Sequence, residues 1–411
     1  MLQSRAMQRI EDLIYDWNTE DGDFLPAKRV ELNDETLRDG LQSPSVSDPS
    51  IDEKLELLHL MEGLGIKGVN LGLPGAGGRP REDILLMAKE IADQRMNIRP
   101  NVACRTLVHD IEPVVELTQR AGIPIETATF IGSSSIRQFT EDWEISKLLE
   151  HTETSLSYCQ DNNLPVMYVT EDTSRAHPDT IRRLYTLAME LGAKRLCVCD
   201  TVGHSTPAGA HAVIKFVSVL AKSFDSTVQV DWHGHRDRGL GIANCLAAIR
   251  AGADRVHATA LGIGERAGNA EMDQLLVNLK LLGWIDNDLS LLNAYISKAS
   301  SAVGVPVPNN YPVFGSDAFE TGTGVHAAAV IKAYKKGHTQ LADMVYSGVP
   351  AGMVGLEQKI RVGPMSGRSN VSWVLEKMGV PVTDEVVQKV LDAGKSSKCL
   401  LTDEQIRGLL T

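Results

Sequence analysis

Two histidines one residue apart, His233 and His235, close a short run of β-forming residues that includes Val228, Val230 and Trp232. Imidazoles at i and i+2 share a face only on a strand; on a helix they would point roughly 200° apart. Such a strand end reads either as half of a divalent-metal site or as an incidental pair. Further polar groups follow other β-forming runs: Asp34, Arg38 and Asp39 after the first, Glu171 and Asp172 after the fifth, Asp200 and Thr201 after the sixth, Glu265, Arg266 and Asn269 after the eighth. Each alone is also an ordinary turn or cap residue, and Asp200 with Thr201 has the form of a helix N-cap. Together they supply what a divalent-metal site requires: carboxylates, imidazoles, an arginine and an amide.

The elements that must gather these groups repeat one unit from residue 28 to 285: a short β-branched run, a turn, then an amphipathic helical stretch. Candidate strands cover 29–34, 68–73, 98–104, 125–131, 166–170, 195–199, 228–233 and 255–261. Helical patterns lie between them, as at 53–64, 110–121, 178–191 and 269–282, and glycine commonly follows where a left-handed cap is wanted. Eight β/α units in roughly 250 residues fit a (β/α)8 TIM barrel. An open doubly wound sheet is the alternative, but it brings a glycine-rich dinucleotide fingerprint after the first strand, and none stands there. In a barrel the chemistry sits at the C-terminal strand ends, where the residues named above fall.

The expected layout is an N-terminal helical extension over 1–27, the catalytic barrel over 28–285, and a mainly helical C-terminal subdomain over 286–411 with a proline-rich linker near 305–313. Helices are expected there at 291–303, 325–335, 384–391 and 402–410, with an irregular stretch around 366–368 and the whole leaning over the barrel mouth. A net charge of −12 argues against a nucleic-acid partner. No window approaches the roughly 18 uninterrupted apolar residues of a membrane span, and the N-terminus lacks a signal peptide's apolar core. A cytoplasmic location follows as the expectation. The six cysteines show no disulfide or zinc-finger spacing and read as packing residues of a reducing compartment.

Four segments in order, TLRDGLQSP at 36–44, DTVG at 200–203, HGHRDRG at 233–239 and GERAGN at 264–269, resemble the α-isopropylmalate synthase and homocitrate synthase branch of the DRE-TIM metallolyases. The likeness continues more loosely through GSDAF at 315–319, GVH at 324–326 and SGR at 366–368. It implies a Claisen-type condensation of acetyl-CoA with a 2-oxo acid, followed by thioester hydrolysis. The implied metal ligands are Asp39, His233, His235 and Asn269, a set suited to zinc, with manganese or magnesium as substitutes. Arg38 would stabilise the developing alkoxide and Thr201 would bind the oxo-acid carboxylate. Glu265 would lie near the thioester, its alternative being a salt bridge to Arg266. His326 would serve as or assist the base with Glu171 as partner, in a homodimer that exchanges the helical subdomain.

Leu71, Leu73 and Val169 favour a branched aliphatic substrate, so the expected reaction is that of a 2-isopropylmalate synthase using 2-oxoisovalerate, in leucine biosynthesis. Citramalate and homocitrate synthases are the alternatives. A hydroxymethylglutaryl-CoA lyase would carry a cysteine in the loop before Asn269, and 261–269 has none. The pattern also departs from the family: Asn70 stands where a glutamate usually braces the arginine matching Arg38, and Leu41 stands where synthases often have glutamate. Both departures bear on the substrate side. The sequence ends at Thr411, without the leucine-binding regulatory domain of long synthases, so insensitivity to leucine is expected.

Overall fold

The computed structural model describes residues 13–19 and 24–410. Much of the expected N-terminal extension, 1–12 and 20–23, lies outside the described residues. The described chain divides into two compact units, one spanning Phe24–Pro306 and the other formed by residues 307–410 together with 13–19.

In the larger unit eight strands close a parallel barrel in sequence order: β1 (Glu31–Asp34), β2 (Gly68–Asn70), β3 (Arg99–Arg105), β4 (Glu126–Gly132), β5 (Val166–Glu171), β6 (Arg195–Asp200), β7 (Gln229–Gly234) and β8 (Arg255–Ala258). Pairing of β1 with β8, from Glu31 against Arg255 to Asp34 against Ala258, closes the ring. The helices between them are α1 (Ile51–Gly63), α2 (Gly78–Asp93), α3 (Val108–Ala121), a short α4 (Ser135–Thr140) with α5 (Ile145–Asp161), α6 (Pro178–Glu190), α7 (Pro207–Phe224), α8 (Gly241–Ala251) and α9 (Met272–Leu281). This is a TIM barrel. Local chemistry sets the helix ends: Ser50 and Glu53 form a reciprocal capping box before α1, and Pro207 opens α7 behind a Thr206 cap.

Strand alternation sorts the barrel into two populations. Val198, Val230, Trp232 and Val256 are buried beneath the helical layer, while Cys197, Cys199, His233, His235 and His257 line an interior cavity. The barrel interior therefore mixes these groups with a small apolar cluster around Ala128 and Met167, while further apolar packing lies between sheet and helices. The helix α10 (Leu292–Val303) also belongs to this unit. It packs on α1, and its Tyr295 hydroxyl donates to Asp34 Oδ2 at 2.5 Å. The unit thus runs past residue 285, where the sequence rhythm changes, because α10 buries Leu292, Tyr295, Ile296 and Val303 there.

The smaller unit holds α11 (Gly324–Lys335), α12 (Thr339–Met344), α13 (Arg368–Lys377), α14 (Asp384–Ser396) and α15 (Asp403–Gly408), with a two-residue parallel pair, β9 (Glu320–Thr321) and β10 (Lys359–Ile360). It has its own core of Val330, Ile331, Val371, Leu375, Val390 and Ile406. The stretch around 366–368, irregular by sequence pattern, leads directly into α13. Among the described residues no helix is long and apolar enough to cross a membrane.

Candidate active site

A cavity of about 330 Å³ opens among the C-terminal strand ends, and Arg38, Asp39, Glu171, Thr201, His233, His235 and Glu265 all line it. Each arrives by the strand period or by the turn that follows. His233, near the end of β7, and His235, just past it, both line the cavity, with ring centroids 5.4 Å apart. The residue between them is glycine for a packing reason: a Cβ on Gly234 would meet the Trp232 indole nitrogen at 2.8 Å. After β1 the chain turns back on itself, with Arg38 and Gly40 amides donating to the Glu35 carbonyl, and this turn presents Arg38 and Asp39 inward.

Asp39 Oδ2 stands 3.1 Å from His233 Nε2 and 3.3 Å from His235 Nε2. It is buried, yet satisfies no hydrogen-bond geometry, and neither does His235 Nδ1. Burial works to raise the Asp39 carboxyl, but the Arg38 guanidinium and the two imidazoles outweigh it and hold the group well below the usual carboxylate range. Burial pushes His233 down, towards the neutral imidazole that ligates metals. One ligand atom from each of Asp39, His233 and His235 fits within 4.8 Å of the others. Two imidazoles and an anionic oxygen, buried and with an oxygen left over, suit a zinc-class divalent ion.

Asn269 is buried beside this trio and pairs with His235 across an antiparallel backbone bridge. Its Nδ2 donates to the Ile263 carbonyl at 3.2 Å, which leaves the amide oxygen as the lone-pair atom it could offer a metal ion. The loop that carries it is tightly shaped. Gly268 adopts φ 95°, where a Cβ would lie 1.9 Å from the Gly262 carbonyl oxygen, and Arg266 is held at φ 53°. Arg266 donates to both Asp237 carboxylate oxygens, at 2.8 and 3.1 Å, and to the Thr201 carbonyl at 2.6 Å. Its salt-bridge partner is therefore Asp237, and Glu265 is left facing the cavity.

The Asp200–Thr201 pair divides its roles. Asp200 is fully buried and accepts from Ser174 Oγ at 2.6 Å and from the His204 and Ser205 amides, so it shapes the turn. Thr201 Oγ1 accepts from the Asp172 amide at 2.8 Å, and its own proton remains free for donation. Glu171 closes the cavity on the β5 side; burial raises its carboxyl despite the nearby Arg137 and Arg38. Leu73 and Val169 line the cavity with Ala103, Ala128, Phe130 and Met167, whereas Leu71 is buried away from it. His326 lies in the smaller unit, exposed on α11 and stacked on Tyr346 at 4.2 Å.

Two residues escape sequence reasoning. Glu35, three residues before Arg38, accepts from its Nε at 2.9 Å and Nη2 at 2.6 Å. His257 on β8 sits between Glu35 and Asp231, its ring nitrogens 3.1 and 2.9 Å from them. Asn70 takes no part in bracing Arg38; its Oδ1 accepts from the Gly72 amide. Glu35, His233 and His257 form a second group with metal-ligand spacing. Both nitrogens of His257 are already taken by carboxylates, so that group reads as an ion-pair chain. The signal for Glu35 was the i, i+3 spacing to Arg38, and for His257 the period-two register with Arg255.

A closed β/α-barrel thus brings two imidazoles, a carboxylate and an arginine together at its C-terminal mouth, in a spacing that could hold a divalent ion. The HMGL-like family model matches residues 29–300, and the chain belongs to that family. A homocitrate synthase of Methanopyrus kandleri is 33% identical over 92% of this chain and 89% of its own length. A probable 2-isopropylmalate synthase of the same organism is 32% identical over 90% of this chain and 71% of its own. Among solved structures, the hydroxymethylglutaryl-CoA lyase of Bacillus subtilis shares the fold, with a TM-score of 0.58 at 20% identity over 69% of this chain and 97% of that one.

Proposed function

We propose that this chain is an acyltransferase of the 2-isopropylmalate synthase type, condensing acetyl-CoA with 2-oxoisovalerate and then hydrolysing the thioester. The observation that carries the choice of oxo acid is the apolar wall of Leu73, Ala103, Ala128, Phe130, Met167 and Val169, opposite the ligand trio's polar wall. The two arginines lining the cavity are both committed to carboxylates, Arg38 to Glu35 and Arg266 to Asp237. A second substrate carboxylate, as in 2-oxoglutarate, would thus find no free guanidinium there.

Asp39, His233, His235 and Asn269 would hold the divalent ion, which when bound supplies Lewis-acid polarisation of a ketone. The chain's own groups do the rest. Thr201 donates its hydroxyl proton to the oxo-acid carboxylate, and Arg38 aims its guanidinium at the oxygen that becomes an alkoxide as the new C–C bond forms. The acetyl methyl proton passes to a base, His326 with Glu171 as its partner. Water then cleaves the thioester, releasing the CoA thiol and a carboxylate. A homodimer with the helical subdomain exchanged is the assembly proposed to deliver His326.

Thiol release from acetyl-CoA tests this, with 2-oxoisovalerate, pyruvate, 2-oxoglutarate and glyoxylate offered separately, with and without chelator. The expected result is chelator-sensitive release, fastest with 2-oxoisovalerate. Preference for pyruvate or 2-oxoglutarate would reassign the enzyme to citramalate or homocitrate formation. No release with any oxo acid would overturn the acyltransferase reading.

A further inference from the structure

The Glu35 carboxylate is saturated. Its Oε2 accepts from Arg38 Nε and Nη2, while Oε1 accepts from Asn33 Nδ2 at 2.7 Å and lies 3.1 Å from His257 Nδ1. His257 Nε2 in turn lies 2.9 Å from Asp231 Oδ2, and Asp231 is clamped by Arg195 and Arg255 at 2.7 Å each. The remaining guanidinium nitrogen, Arg38 Nη1, points towards Asp39 Oδ1 at 3.8 Å. Two buried carboxylates therefore compete for one guanidinium: Glu35 holds two of its nitrogens closely, and Asp39 approaches one at long range.

We propose that Glu35 is a positioning residue that holds Arg38 away from Asp39, leaving the Asp39 carboxylate free to ligate a divalent ion with His233 and His235. The chain from Asp231 through His257 keeps Glu35 in place. A guanidinium stays charged and pairs most strongly as a two-pronged fork. Released from Glu35 inside a buried pocket, it swings to the nearest carboxylate, which is Asp39, its neighbour in sequence. A two-pronged Arg38–Asp39 pair would engage Oδ1 and also Oδ2, the oxygen that now faces both imidazoles, and would compete with any cation. Glu35 thereby does two things with one contact: it aims the guanidinium into the cavity and it protects a ligand. The inference rests on the ligand set of the proposed function but not on the identity of the oxo acid.

The test is metal affinity of the full-length protein for Mn²⁺ or Zn²⁺, read by competition with a chromophoric chelator in the absence of substrate. Glu35→Gln is expected to weaken binding about tenfold or more, in the range typical of residues that orient ligands. Arg38→Ala removes the competitor, and in that background Glu35→Gln is expected to cost about threefold or less. An equal loss in both backgrounds overturns the inference, because Glu35 would then act by its charge or through the fold. So does unchanged affinity in the single variant. Should Glu35→Gln fail to fold, Glu35→Asp keeps the charge for His257 but is too short to span both guanidinium nitrogens, and the same dependence on Arg38 is required of it. Metal binding that follows this pattern in a protein that releases no thiol would sink the proposed reaction and leave this inference standing.

Discussion

Both ends of the barrel interior are packed with charge, and they differ in what is left over. At the floor, where strands begin, Arg195 and Arg255 clamp Asp231 and reach Glu126 at 3.3 and 3.0 Å. Neither Asp231 nor these arginines leave a buried atom without a partner. Burial alone would raise Asp231, yet the two guanidinium groups hold its carboxyl far below the usual range. At the mouth, Asp39 Oδ2 and His235 Nδ1 are buried and unsatisfied. Paired buried charges cost least when left alone, whereas in the proposed function the unsatisfied Asp39 oxygen is completed by a cation. On that reading the floor is a plug and the mouth a receptor, linked by His257 and Glu35.

The sharpest way to break this comparison is to delete one group at each end. His233→Ala is expected to lower the rate of thiol release about a thousandfold, the scale of a lost Lewis acid, while changing unfolding free energy by about 1 kcal/mol or less. Asp231→Asn is expected to cost about 3–5 kcal/mol in urea unfolding, because it removes the charge that His257 and two buried guanidinium groups share and leaves the arginines with Glu126 alone between them. Comparable stability losses in both variants would show that the mouth is as much a structural plug as the floor.

The difference between the two ends also explains what the sequence made legible. The eight strands were readable because β-branched runs and helical periods alternate without interruption, and the mouth because turn residues follow each run. His233 and His235 from one stretch of sequence and Asp39 from another come within ligand distance of one another. The floor was opaque. Arg195 and Arg255 open β6 and β8 behind another charged residue, Asp231 stands within β7, and only closure of the barrel shows that they face one another. The brace on Arg38 was misplaced for a similar reason. A neutral Asn70 on β2 suggests a weakened arginine, whereas the compensating carboxylate, Glu35, stands in the turn just past β1, three residues before Arg38 itself. α10 was readable as a helix but not as part of the barrel unit, since its anchor, Tyr295 on Asp34, joins residues 261 positions apart.

The apolar wall sharpens the comparison within the mouth, between the side that holds the ion and the side that holds the substrate's tail. Ala128 is buried in that wall, in a cluster with Met167, Cys197 and Cys199. Ala128→Val adds two methyl groups to the cavity lining without altering charge. The expected effect is a fall of about tenfold in kcat/KM for 2-oxoisovalerate relative to pyruvate, the usual scale for one or two carbons in an apolar pocket. If both substrates slow equally, the wall does not contact the oxo-acid side chain.

Asp34 presents a third case, a buried carboxyl with no ionic partner among the described residues. It accepts from the Thr36 amide at 2.8 Å and from the Tyr295 hydroxyl, both neutral donors. Burial outweighs them and raises its carboxyl to about 6. The protonated form is thus favoured by folding, and its contribution to stability is complete below the unfolded value near 4 and lost as pH rises through about 6. Between pH 8 and pH 5 that difference comes to roughly 1 kcal/mol. Urea unfolding of the wild type and of Asp34→Asn at both values isolates it from every other titrating group, which the two proteins share. The wild type should gain on the variant by roughly that amount as pH falls. A gain in the opposite direction would mean that Asp34 is held as a carboxylate, and that the mouth end of β1 tolerates an unpaired charge that the floor does not.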